Sequence, residues 1–179
     1  MKFVGNCADV IDLPNLITYL SSQQPRLRGN DQPDDIHNNH KVLALKEIWE
    51  QAGYDSENGV WWLDYEAPAD IAEKFSKFVG VERLGGWITC VPPGYCVPCH
   101  YDITDDEERY LKQGRPVRYT CHLSEPSFGQ AFMLEGHVFH NEAQGNVYLW
   151  DDWQQWHGGI NMGLQPKFLY NFLGIVPHE

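Results

Sequence analysis

From about residue 84 onward the chain breaks into short runs that read as strands. These are GGWITCVPPGY, CVPCHYDI, PVRYTCHL, GQAFMLEG, GNVYLW, QQWHGGI and KFLYNFLGIV, with Gly, Pro, Asn or Asp between them. A strand sends alternate side chains to opposite faces, so each run must bury at least one face against something else. Seven or eight short strands in ninety-odd residues fit a β-sandwich or a jelly-roll barrel and little else. The 7 Trp and 9 Tyr suit such a β-rich core, or a cleft lined with rings.

The part before residue 84 reads differently. DLPNLITYLSS offers Asp12 as an N-cap and Pro14 in the first turn of a helix. HKVLALKEIWEQAG places Val42, Leu43, Leu45, Ile48 and Trp49 around one face and stops at Gly53. APADIAEKFSKFVG repeats that logic and ends at Gly80. Between the first two helices, residues 24–40 are polar and rich in Asn, Asp and Pro, which makes a long loop, either a solvated connector or a lid. With 179 residues, one domain is expected: residues 1–83 as helical support with the loop, and residues 84–176 as a catalytic jelly-roll core. The fold class is α+β, mainly β: a sandwich or jelly-roll barrel buttressed by N-terminal helices, which the resemblance given below narrows to a double-stranded β-helix (cupin-like) barrel.

A formal net charge of −12 without a basic patch argues against nucleic acid and anionic membranes as partners. No stretch reaches the roughly 20 apolar residues of a membrane span. The first residues, MKFVGNCADVIDLPNL, carry early acidic groups and lack the apolar run of a signal peptide. A cytoplasmic protein with five reduced cysteines is the expectation.

The stretch GYCVPCHYD, residues 94–102, has two incompatible readings. Cys96, Cys99 and His100 spell the C-x-x-C-H of covalent haem attachment. That chemistry usually takes place outside the cytoplasm, in small helical proteins, and neither condition fits this chain. His100 and Asp102 spell H-x-D, two of the three ligands of a non-haem iron site. On an extended strand they share a face while Cys99 and Tyr101 point away. His157, in DDWQQWHGGIN, is the candidate third ligand. Two histidines and a carboxylate on one face of an octahedron leave three positions open, as iron(II) requires to bind a cosubstrate and oxygen.

Lys167 follows His157 by ten residues, and GGINMGLQP between them lets the chain turn back. Period-2 geometry groups Lys167, Leu169 and Asn171 on one face and Phe168, Tyr170 and Phe172 on the other. A lysine facing a barrel interior is costly unless paired, and a dicarboxylate cosubstrate would pair it. Alternatively, Lys167 starts an exposed edge strand, and His100 and Asp102 form a surface pair. Arg118 and His122 share a face with Thr120. They contact the cosubstrate or substrate if that face is inward; if it is outward, Tyr119 and Cys121 are core. Asn171 is a further cosubstrate candidate. Trp153 and Trp156 line either a substrate mouth or the barrel rim. His137 and His140, three apart on a strand or hairpin, read as structural.

The set His100, Asp102, His157 and Lys167 resembles the 2-oxoglutarate- and iron(II)-dependent oxygenases, whose pattern is H-x-D…H with a basic residue about ten positions later. The resemblance spans residues 84–176. Within that superfamily, GNVYLWDDWQQWH…PKFLYNFLGIVPHE is similar to the aspartyl/asparaginyl β-hydroxylase-like branch. YTCHL is similar to a strand of that branch beginning R-x-H-L, with Thr120 where the branch has Arg. Asp102 is present although some members of the branch dispense with that carboxylate. The resemblance implies iron(II) held by His100, Asp102 and His157, and 2-oxoglutarate chelating it with its far carboxylate on Lys167. The cosubstrate would be decarboxylated to succinate while oxygen hydroxylates a C–H bond of a peptide or protein residue, or of a small polar metabolite. Two other readings stay open: a cupin-type metalloenzyme without an oxo acid, and a metal-free β-barrel binding module.

Overall fold

The computed structural model describes residues 1–28, 47–48, 50–53, 62–100, 111–150 and 155–177. The chain opens with β1 (Lys2–Asn6) and α1 (Leu13–Ser22). The Asp12 side chain accepts the Asn15 N–H and so caps α1, with Pro14 in the first turn, where a missing N–H costs nothing. Leu13, Leu16 and Leu20 bury one face of this helix. β2 (Arg26–Arg28) and β3 (Trp62–Glu66) follow, then α2 (Ala69–Val79). α2 buries Ile71, Ala72 and Phe75 and stops at Gly80, whose φ of 73° is the left-handed cap that glycine adopts without strain.

The remaining strands are β4 (Glu82–Val91), β5 (Tyr95–His100), β6 (Gly114–His122), β7 (Gln130–Leu134), β8 (His137–Phe139), β9 (Asn146–Trp150), β10 (His157–Asn161) and β11 (Lys167–Pro177). They assemble into two antiparallel sheets. The larger has the order β1-β9-β6-β11-β4-β3-β2, and the smaller the order β5-β10-β7-β8. Each of the seven strand runs expected from the sequence contains a strand among the described residues; Tyr101, Asp102 and Ile103 of CVPCHYDI and Gln154 of QQWHGGI lie outside them. The fold is a double-stranded β-helix.

The two faces of the larger sheet have different tasks. Ile88, Cys90, Val117, Tyr119, Cys121, Phe168, Tyr170 and Phe172 pack with the buried leucines of α1 and with Ile71 and Phe75 of α2. Phe75 is fully buried, its ring centroid 4.9 Å from Tyr170 and 5.1 Å from Phe172. The helices thus buttress one face, and the other is left to the barrel interior. There a smaller cluster of Phe132, Leu134, Trp150 and Leu169 joins the sheets.

The first 83 residues, expected to supply helices, also supply three strands of the larger sheet. β1 pairs with β9, β3 with β4, and β2 with β3. Arg26–Arg28, assigned from sequence to the 24–40 loop, is one of these strands; residues 29–40 lie outside the described residues. Of the second expected helix, residues 47, 48, 50 and 51 are helical and Gly53 turns the chain at φ 85°. Ile48, expected on its apolar face, is exposed; Val42, Leu43, Leu45 and Trp49 lie outside the described residues.

Candidate metal centre

β5 ends on His100, β10 begins on His157, and the two residues face each other in register. Their ring centroids are 4.2 Å apart. Between this pair and the next, Gly159 with Val97, β5 carries one residue more than β10, a bulge at Pro98 and Cys99. Proline suits a bulge on an edge strand, since it has no N–H to offer a ladder. The bulge brings His100 against His157. Gly158 permits this approach: a Cβ there would lie 2.8 Å from the Val97 carbonyl oxygen and 3.1 Å from the Cys99 nitrogen.

The local backbone sets the tautomer of both histidines. His100 Nδ1 lies 2.8 Å from the Pro98 carbonyl oxygen, and His157 Nδ1 lies 2.9 Å from that of Gln155. A carbonyl oxygen only accepts, so each Nδ1 carries the proton and donates it. The lone pair of each neutral ring is then on Nε2, the arrangement of a metal-ligating histidine with its second nitrogen anchored. Burial, with the nearby Arg118 charge, lowers the His100 pKa to about 4 despite its bond to Pro98. Burial, then Arg118 and His100, holds His157 well below the usual value. Both rings are neutral at pH 7. Trp150 packs on His157 edge to face, with centroids 4.6 Å apart.

Asp102, the expected carboxylate ligand, lies outside the described residues, as does Trp153. Among the described residues no group of three or more His, Cys, Asp or Glu converges on one point. The donor set therefore stands at two neutral imidazoles of the right tautomer, with the H-x-D carboxylate two positions beyond His100. This chemistry fits a borderline divalent metal such as iron(II). Trp156, beside His157, is 42% exposed, with its backbone N–H on Glu135. Cys96 is half-buried and Cys99 exposed, both as thiols. His137 and His140 are exposed at the surface.

The remaining expected residues lie on the interior face. Lys167 is at the start of β11, the central strand of the larger sheet, and is 4% exposed. Its Nζ donates to the Ala131 carbonyl and sits 5.9 Å from the Phe132 ring centroid. A Cβ on Gly159, two residues along β10 from His157, would come within 3.9 Å of that Nζ. Lys167 and His157 therefore look into the same interior. Burial pulls the Lys167 pKa down to about 7. His122 is buried beside it, its Nε2 without a hydrogen-bond partner among the described residues. Burial, then the Lys167 charge, lowers the His122 pKa to about 4, against an opposing pull from Glu142.

Arg118 is also fully inside. Its guanidinium carbon lies 4.1 Å from the Trp150 ring centroid and 5.3 Å from that of Trp87. Its Nη2 donates to Asn171 Oδ1 at 3.1 Å. Burial pulls its pKa down to about 9, partly offset by Asp64, so it remains a cation at pH 7. The β6 face carrying Arg118, Thr120 and His122 is thus the interior one, and Tyr119 and Cys121 are core. Sequence reasoning missed Trp87, Trp150 and Phe132, the rings that wall these polar groups. Their strands were legible, but alternation alone does not say which face is the lined one.

The sequence matches no protein-family model. It also matches no curated protein. Among solved structures, the chain is similar to the viral collagen prolyl hydroxylase of Paramecium bursaria Chlorella virus-1, at 13% identity and a TM-score of 0.47, over 87% of this chain and 98% of that one. A Pseudomonas putida prolyl-4-hydroxylase aligns at 12% identity and a TM-score of 0.41, over 93% and 100%. A candidate sugar phosphate isomerase from Acidithiobacillus ferrooxidans aligns at 13% identity and a TM-score of 0.40, over 66% of this chain and 62% of that one. No residue role passes from those proteins to this chain at such identities.

Proposed function

We propose that this chain is an iron(II)- and 2-oxoglutarate-dependent oxygenase that hydroxylates a C–H bond. The observation that carries the reading is the facing pair His100 and His157, neutral, anchored at Nδ1 and opening onto an interior that holds the buried basic side chains Arg118 and Lys167. His100, Asp102 and His157 would hold the metal. Lys167 would pair with the far carboxylate of the oxo acid, with His122 beside it. Arg118, held by Asn171 and close to both histidines, would orient the carboxylate next to the keto group. Bound iron(II) supplies the activation of oxygen; the chain binds, orients and keeps water out.

A buried ammonium such as that of Lys167 is expensive unless a ligand compensates it. The far carboxylate of an oxo acid would do so. Trp156, exposed beside His157, and Trp153 would flank the substrate. The substrate would be an amino-acid residue in a peptide or protein, or a small polar metabolite.

The test is an anaerobic titration of metal-free protein with iron(II) and then 2-oxoglutarate, followed by visible absorption. A weak charge-transfer band that needs both additions, and is lost in Asp102→Ala, is expected. Stoichiometric iron without a band would point instead to a cupin-type metalloenzyme with no oxo acid. Absence of iron binding would refute the metal centre.

A further inference from the structure

A chain of buried hydrogen bonds runs sideways across four strands of the larger sheet, and no step assigned so far uses its far end. Arg118 Nη2 on β6 donates to Asn171 Oδ1 on β11 at 3.1 Å. Asn171 Nδ2 donates to Thr89 Oγ1 on β4 at 3.1 Å. Thr89 Oγ1 donates to Asp64 Oδ1 on β3 at 3.0 Å. All four residues are less than a tenth exposed.

The direction of the chain is forced. Arginine only donates, so the Asn171 oxygen must face it and the amide nitrogen must face Thr89. The threonine hydroxyl accepts from that nitrogen and has its single proton left for Asp64. Asp64 accepts that proton, and its field supports the charge of Arg118. The guanidinium lies against Trp150, with Trp87 nearby, and these rings limit its sideways freedom. The Nη2 arm of the fork is thereby held by side chains on the neighbouring strands.

We propose that Asp64 and Thr89 are positioning residues: through Asn171 they hold the Arg118 guanidinium at the angle at which it receives a ligand carboxylate beside the histidine pair. This rests on the oxo-acid reading above. Asp64 and Thr89 act through Asn171 and Arg118, and so on affinity for the acid and not on affinity for the metal. The relay is lateral because Thr89 stands directly opposite Leu169 in the β4–β11 pairing and directly opposite Asp64 in the β3–β4 pairing. Asn171 then reaches Thr89 along the diagonal, which a long polar side chain can span.

The experiment compares Thr89→Val with Thr89→Ser in the full chain, loaded with iron(II) without oxygen and titrated with 2-oxoglutarate. Valine keeps the volume and removes the hydroxyl; serine keeps the hydroxyl and removes a methyl group. The relay predicts that Thr89→Val binds the oxo acid at least about tenfold more weakly while Thr89→Ser stays within about twofold of wild type. Iron(II) affinity should be unchanged in both. A packing role predicts the reverse order, with serine the more damaged. Asp64→Asn, which keeps an acceptor oxygen and removes the charge, should fall between wild type and Thr89→Val, and it serves if Thr89→Val does not fold. Oxo-acid binding by wild type with unweakened binding by Thr89→Val, or equal losses in valine and serine variants, would overturn the relay alone. No oxo-acid binding by wild type would overturn the functional reading and the relay together.

Discussion

Lys167 should weaken the protein that it equips. Its ammonium is buried, and burial drags its pKa from 10.5 to about 7. That fall corresponds to about 5 kcal/mol of differential cost for the charged form. In the unfolded chain the lysine keeps its proton up to pH 10.5; in the folded chain it releases it near 7. Between those values the unfolded state binds more protons, so wild-type stability rises with pH across that window. Lys167→Met fills the same space without a charge and loses this dependence. It also strands the Ala131 carbonyl, which Lys167 now satisfies, at a cost of about 1–3 kcal/mol. At pH 7 the variant should therefore be the more stable by about 2 kcal/mol. Between pH 7 and 10 wild type should gain about 4 kcal/mol relative to it. Urea unfolding followed by tryptophan fluorescence, with both proteins at pH 7, 8.5 and 10, gives the difference directly. A difference flat in pH would refute the buried-cation argument. The same variant should bind 2-oxoglutarate far more weakly, so stability and affinity move in opposite directions.

The two glycines after His157 should respond differently to substitution. Gly158→Ala drives a methyl into the backbone of β5 at the bulge, so it should push His100 away and reduce iron(II) affinity by at least about tenfold in a metal titration. In Gly159→Ala the new methyl would have, among the described residues, only the Ala131 carbonyl at 3.7 Å and Lys167 Nζ at 3.9 Å near it, so iron(II) affinity should stay within about twofold of wild type. Phe75→Ala, which opens a cavity between α2 and the Tyr170 and Phe172 rings, should cost about 3–5 kcal/mol in denaturant unfolding without changing metal affinity.

Much of the barrel could be read along the chain. Alternation in KFLYNFLGIV separates Lys167, Leu169 and Asn171 from Phe168, Tyr170 and Phe172, and the structure sends the first set inward and the second to the helices. The same holds for Arg118, Thr120 and His122 against Tyr119 and Cys121. α1 and α2 were legible from Asp12 and Pro14 at one start and Gly80 at one stop, because caps are local chemistry. β1, β2 and β3 were not: they are short, and β1 buries no complete face that alternation could mark.

The sequence by itself determined the kinds of groups available: histidines at 100 and 157, cations at 118 and 167, and the two-residue period that puts each on a definite side of its strand. Only the tertiary structure decided that these sides meet. The 4.2 Å approach of the two imidazoles depends on a bulge in β5 and a glycine opposite it, and the tautomer depends on two carbonyls aimed at Nδ1. The path from Arg118 to Asp64 joins residues 54 positions apart through two others on neighbouring strands. Period and propensity act between residues near in sequence. Register, close approach and buried hydrogen bonding act between residues near in space, and the chain acquires those only when its sheets have paired.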